Sequence, residues 1–172
     1  MRRVVTGVDE AGVTRFVEDG EVGDLAPGLS PPGLTLIWAA DEAAPVPTNG
    51  EMPAYGRYFP PAGGYRLITF VINPDGQTGR RPPADTQALE KAVPGFTTGM
   101  ILTDKPGMHR TDTVDIGLIL EGSIVLELDT GESRVLKAGD SFVQNGTYHA
   151  WRNPGDTPCR MAILVVGAAE QG

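Results

Sequence analysis

The chain of 172 residues holds one cysteine, Cys159, so no internal disulfide can staple it and its stability must come from packing. In its setting P-C-R-M-A-I-L-V-V, Cys159 reads as a small buried thiol. Histidine is almost as scarce, with only His109 and His149. No run of about 18 apolar residues occurs, which excludes a membrane-spanning helix. Basic residues are in deficit: 14 Lys and Arg against 22 Asp and Glu give a formal charge of −8. That sign argues against a nucleic-acid partner, because phosphates select basic surfaces. The opening M-R-R-V-V-T-G-V-D-E reaches acids without an apolar segment, so no secretory leader and a cytoplasmic location are expected.

Glycine and proline are abundant, at 23 and 15 residues, and favour turns and short strands over long helices. Thirteen of the prolines lie at or before Pro106, which splits the chain by texture into an irregular first part and a regular second part. The length suits one domain. Within it, residues 1–95 read as N-terminal strands and Pro/Gly-rich loops, and residues 96–168 as the main β unit.

Residues 4–20 predict a hairpin around Asp9-Glu10-Ala11-Gly12. Residues 21–33 are irregular, 34–39 form a short strand, and 43–64, with five prolines, form a long loop. Residues 65–72 predict a strand buried on both faces. N-P-D-G (73–76) is a turn, and Asp85 caps a helix to Ala92 that Pro94 and Gly95 end. Strands are expected at 96–102, 116–121, 123–129, 132–137, 141–144, 148–152 and 160–166, with Asp129-Thr130-Gly131-Glu132 as a hairpin turn. Ile119, Leu126, Leu128, Val135, Phe142 and Val165 are assigned to core or sheet packing.

The candidate chemistry lies between Pro106 and Asn153, which contains both histidines. His109, Thr111 and Asp115 share strand parity, but six residues of straight strand would separate His109 from Asp115 by about 20 Å. They meet only if the chain reverses near Thr111-Asp112-Thr113, where short polar residues permit it. His149 follows a second turn signal, Asn145-Gly146-Thr147. His109, Asp115 and His149 are thus two imidazoles and a carboxylate, a set that suits Fe(II) and also Mn, Zn, Co or Ni. Alternatively the histidines form a metal-free polar pocket in which one acts as acid or base, and Asp115 caps a turn. Asp112 has the wrong parity and faces solvent. Gln144 reads as a ligand-facing amide or a satisfied core amide, and Trp151 as a pocket wall or core packing.

From His109 to Gly122 the segment H-R-T-D-T-V-D-I-G-L-I-L-E-G resembles the first motif of the cupin family, G-x5-H-x-H-x(3,4)-E-x6-G. Thr111 replaces the second His, Asp115 replaces the Glu, and Gly122 closes the motif in register. G-D-S-F-V-Q-N-G-T-Y-H-A-W-R-N resembles the second motif, with Gly139, His149 and Asn153 in place and Asn145 where Pro is usual. The resemblance covers about residues 96–168. It implies an all-β fold: an antiparallel double-stranded β-helix, or jelly-roll barrel, with extra N-terminal strands and at most one or two short helices. It also implies a divalent metal on His109, Asp115 and His149, with Thr111 the lost ligand, and commonly a homodimer.

The function expected is a metal-dependent enzyme performing dehydration, decarboxylation or isomerisation on a small oxygenated organic molecule. His109, His149 and Gln144 are its catalytic candidates, and Thr111, Gln144 and Trp151 line its pocket. An Fe(II)-dependent dioxygenase and a non-catalytic binding or sensing module are the alternatives. Loss of the second His at Thr111 favours the last.

Overall fold

A computed structural model describes residues 1–31, 33–76 and 85–169. Pro32, part of the expected irregular stretch 21–33, lies outside them. The described residues form two five-stranded antiparallel sheets, a separate hairpin and one short helix. The hairpin pairs β1 (Arg2–Val8) with β2 (Thr14–Glu21). Its turn is held by the Asp9 carboxylate, which accepts from the Ala11 and Val13 amides. Then come β3 (Thr35–Ala40), β4 (Tyr65–Ile72) and the helix α1 (Thr86–Ala92). Asp85 caps α1 by accepting from the Ala88 amide, as its sequence position predicts.

The remaining strands are β5 (Ile101–Leu102), β6 (His109–Arg110), β7 (Thr113–Glu121), β8 (Ser123–Leu128), β9 (Ser133–Lys137), β10 (Ser141–Asn145), β11 (His149–Arg152) and β12 (Cys159–Gly167). The first sheet runs β10-β7-β12-β4-β3 and the second β5-β6-β11-β8-β9. From β6 onward, apart from the β8–β9 hairpin, each connection crosses between sheets, which is the jelly-roll winding expected. Gly122 makes the β7-to-β8 crossing at φ +75°, and a Cβ there would lie 2.5 Å from the Pro158 carbonyl oxygen. Only glycine fits this corner.

Alternation along β7, β10, β11 and β12 turns one row of side chains between the sheets. Ile119, Ile124, Phe142, Trp151, Met161, Ile163 and Val165 meet there. Leu34, Leu36, Ala39, Ile68 and Leu89, from before Pro106, belong to the same cluster. Arg66 is also sealed inside at 1% exposure. Its guanidinium donates to the carbonyls of Arg57, Ala40 and Tyr65, pairs with Asp41, and lies 5.0 Å from the Tyr55 ring centroid. A buried charge is tolerated when every donor is matched in this way. The long proline-rich loop is therefore anchored on β4.

Two expectations need correction. Residues 96–102 were assigned to one strand, but only Ile101–Leu102 pair. Glu90 draws the preceding stretch into turns: its carboxylate accepts from the Gly95 and Thr97 amides and from the Thr97 and Thr98 hydroxyls. Val135 is not core. It stands on the outer face of edge strand β9, opposite Val125, and is 60% exposed.

Candidate functional site

His149 opens β11 directly opposite His109 of β6, as antiparallel partners in the second sheet. Their ring centroids are 4.6 Å apart with planes at 52°. The two reversals expected from Thr111–Thr113 and Asn145–Thr147 both occur, and the imidazoles meet. Each ring is fixed by its own strand entry: Nδ1 of His109 lies 3.0 Å from the Gly107 carbonyl and Nδ1 of His149 lies 2.9 Å from that of Thr147. A carbonyl only accepts, so Nδ1 carries a proton in both rings, and in a neutral ring Nε2 is left with the lone pair. His149 is 4% exposed. Burial, aided by the neighbouring His109, lowers its pKa to about 4 against the Thr147 hydrogen bond, so it is neutral at physiological pH.

Asp115 lies elsewhere. The reversal at 111–113 carries the chain from the second sheet to the first, where Asp115 on β7 pairs with Gln144 on β10. Its Oδ1 accepts from the Thr113 hydroxyl at 2.7 Å, and Thr113 lies 2.7 Å from the Thr111 hydroxyl. Since Thr113 gives its one proton to Asp115, Thr111 must donate to Thr113. A chain of two hydroxyls thus leads from Thr111 to the carboxylate. Burial raises the Asp115 pKa, and the Thr113 bond only partly offsets it.

Phe142 and Trp151, on facing sheets, make an edge contact with centroids 4.9 Å apart. One inward step toward the turn at 145–148 brings Gln144 on β10 and His149 on β11. The site is therefore two cross-strand pairs on facing sheets, Asp115 with Gln144 and His109 with His149. Gln144 is 5% exposed, and among the described residues its Nε2 has no hydrogen-bond partner. An amide donor left so costs about 1–3 kcal/mol. The satisfied-amide reading of Gln144 fails at this atom. Trp151 packs on Phe142 and also meets the His149 ring edge at 6.0 Å, so it serves core and site together.

The three expected ligands do not assemble as a metal group: among the described residues no three His, Cys, Asp or Glu side chains are so clustered. The sequence parity of His109 and Asp115 was correct, but the sheet crossing between them separates imidazoles from carboxylate. What fits an ion is the imidazole pair, whose Nδ1 bonds resemble the orientation that metal-bound histidines take. The two-imidazole, one-carboxylate set does not fit as arranged. Asp112 is exposed and paired with Arg110, as its parity predicts.

Tyr58, from the proline-rich loop, went unassigned. Buried beside Phe59 and Phe96, it feels the Asp115 charge, and burial first and that charge second raise its phenol pKa. Its only sequence signal is an aromatic pair, Y-F, among prolines. A cleft of about 640 Å³ lies outside this loop, lined by Arg57, Phe59, Pro61, Asp112 and Ala168 among others.

Residues 102–167 match the family model described as "Cupin domain". The chain is 49% identical over 78 residues to "Phomopsin biosynthesis cluster protein C'" of Diaporthe leptostromiformis, covering 43% of this chain and 41% of that protein. It is 44% identical over 62 residues to "Cupin-domain-containing oxidoreductase virC" of Hypocrea virens, covering 34% of this chain and 32% of the relative. The matched stretch thus spans about two fifths or less of these relatives' length. Among solved structures, the polyketide cyclase RemF from Streptomyces resistomycificus aligns at a TM-score of 0.39 and 18% identity, covering 59% of this chain and 53% of that one. The family match lies on the crossed-over sheets described above, so residues 102–167 form a cupin domain.

Proposed function

We propose that this chain is a small-molecule enzyme that moves a proton on an oxygenated organic substrate held between the sheets, in dehydration, decarboxylation or isomerisation. The observation that carries this reading is the facing imidazole pair with Nδ1 protons tied to backbone carbonyls. His149, neutral and sealed from water, offers Nε2 as a general base, and His109 across the strand pair orients and shares the proton. The protonated His149 then returns that proton to a leaving hydroxyl, and the Asp115 carboxylate orients the site through its hydrogen-bonded chain to Thr113 and Thr111. Trp151 and Thr111 wall the substrate.

The test is solvent exchange. A panel of hydroxy-ketones and phenolic carbonyl compounds is incubated with enzyme in deuterium oxide and followed by proton NMR. Wild type is expected to exchange a proton next to the carbonyl, and His149→Gln to lose at least about a hundredfold of that rate. Equal rates in the two would remove the base assignment, and no turnover with ligand binding retained would favour a binding or sensing module.

A second reading, a metal-dependent oxidoreductase, is favoured by the names of relatives such as that of Hypocrea virens. A bound transition ion would supply redox chemistry, and His109 and His149 are the residues that would hold it. Asp115 would not be their third partner as placed. Metal analysis of chelator-free protein with oxygen uptake under Fe(II) separates this reading from the first.

A homodimer is part of the proposal, because the outer face of β7 and β10 shows Ile116, Leu118, Leu120 and Val143 to solvent. A cytoplasmic location also belongs to it, in keeping with the free, buried thiol of Cys159. Among the described residues no helix is long and apolar enough to cross a membrane.

A further inference from the structure

Gln144 alternates inward with Phe142 along β10, and its Nε2 is a buried donor without an acceptor among the described residues. Its cross-strand partner is Asp115, whose Oδ1 is taken by Thr113. Directly opposed cross-strand side chains lie about 5 Å apart at Cβ, so donor and carboxylate border one spot. The Phe142–Trp151 edge contact sets an aromatic wall one step below it. A water could answer the amide, but a site built for water alone would not need a long amide beside a carboxylate and an aromatic floor.

We propose that Gln144 is the specificity-determining donor of the site, and that its Nε2 donates to the oxygen of a neutral carbonyl compound on a flat, largely apolar frame. Ketones, aldehydes and esters qualify. A free carboxylate does not, because it would sit against Asp115 in a protein already at −8, and like charges at such range repel. This deepens the proton-transfer reading and rests on it: a carbonyl held by Gln144 is the group that acidifies the neighbouring carbon for His149.

The experiment uses three probes of one shape on the full chain: acetophenone, α-methylstyrene, in which C=CH2 replaces C=O, and benzoate. Binding is followed by backbone amide shifts in 15N NMR for wild type and for Gln144→Met, which keeps the volume and deletes the donor, with the Gln144 side-chain amide as a further signal in wild type. Wild type is expected to bind acetophenone at millimolar concentration or better, to shift the Gln144 amide, and to prefer the ketone to benzoate. In Gln144→Met the acetophenone-to-methylstyrene affinity ratio is expected to fall at least about tenfold. The ligand-free variant should melt no lower than wild type, because it sheds an unanswered donor. An unchanged ratio, a preference for benzoate, no acetophenone binding, or a clearly lower melting temperature would each overturn the proposal. The catalytic reading fails separately, through undiminished solvent exchange in His149→Gln, whereas the donor assignment is read only from the affinity ratio in Gln144→Met.

Discussion

Replacing His149 by glutamine, which cannot titrate, isolates the cost of keeping that imidazole neutral between the sheets. In the unfolded chain it takes a proton as pH falls past about 6.5, and in the folded protein only near 4. Between those values the unfolded state binds more protons, so acidification weakens the fold. The stabilising contribution is full above about 6.5 and lost as pH falls through about 4. A gap of about two and a half pH units, at about 1.4 kcal/mol each, amounts to about 3 kcal/mol. Asp115 acts oppositely, since burial raises its pKa and its protonation favours the folded state at low pH. The quantity to measure is therefore the difference between wild type and His149→Gln, in which Asp115 and the surface carboxylates cancel. Urea unfolding at half-unit steps from about pH 7.5 to pH 4 provides it. Wild type is expected to lose about 3 kcal/mol relative to the variant across that range. A flat difference would show that the ring is solvated or paired with an acid, and would refute its burial as a neutral base.

Arg66→Ala should cost about 3–5 kcal/mol by urea unfolding and more than Arg66→Met, because both strand Asp41 but only alanine also opens a cavity. Glu90→Ala should free the turn at residues 95–98 and cost about 2 kcal/mol near neutral pH. Because accepted hydrogen bonds outweigh burial and hold the Glu90 pKa at about 2, that stabilisation is present above about pH 4.5 and lost as pH falls toward 2. Gly122→Ala, at positive φ against the Pro158 carbonyl, should cost about 2 kcal/mol or more in a thermal melt. Val143→Lys should convert a dimer to monomer in sedimentation; an unchanged mass would move the interface off the β7–β10 face.

Strands were legible where an apolar or alternating run met clear punctuation. Tyr65–Ile72 was predicted to the residue, and the hairpin at Asp9–Gly12 and the Asp85 cap follow from turn and capping chemistry that acts within a few residues. Phe96–Leu102 misled because its β-branched residues satisfy strand propensity, while the competing pull comes from Glu90, several residues earlier. Val135 misled because alternation says which residues share a face but not which face is inside.

At the site, scarcity made His109 and His149 conspicuous, and turn residues foretold their meeting. That Asp115 would cross to the other sheet was not legible, since strand parity carries no record of sheet membership. Arg66 reads locally as a polar break in an apolar strand. Only the folded chain reveals that Ala40, Asp41 and Arg57 converge on it.

The most direct test of the account is the protonation pattern of the two imidazoles, read by long-range 15N–1H NMR at neutral pH. His149 is expected as the neutral Nδ1–H tautomer with Nε2 unprotonated, and His109 with a proton on Nδ1. A proton on Nε2 of His149, or a charged His149 ring, would contradict the base role on which the proposed chemistry stands.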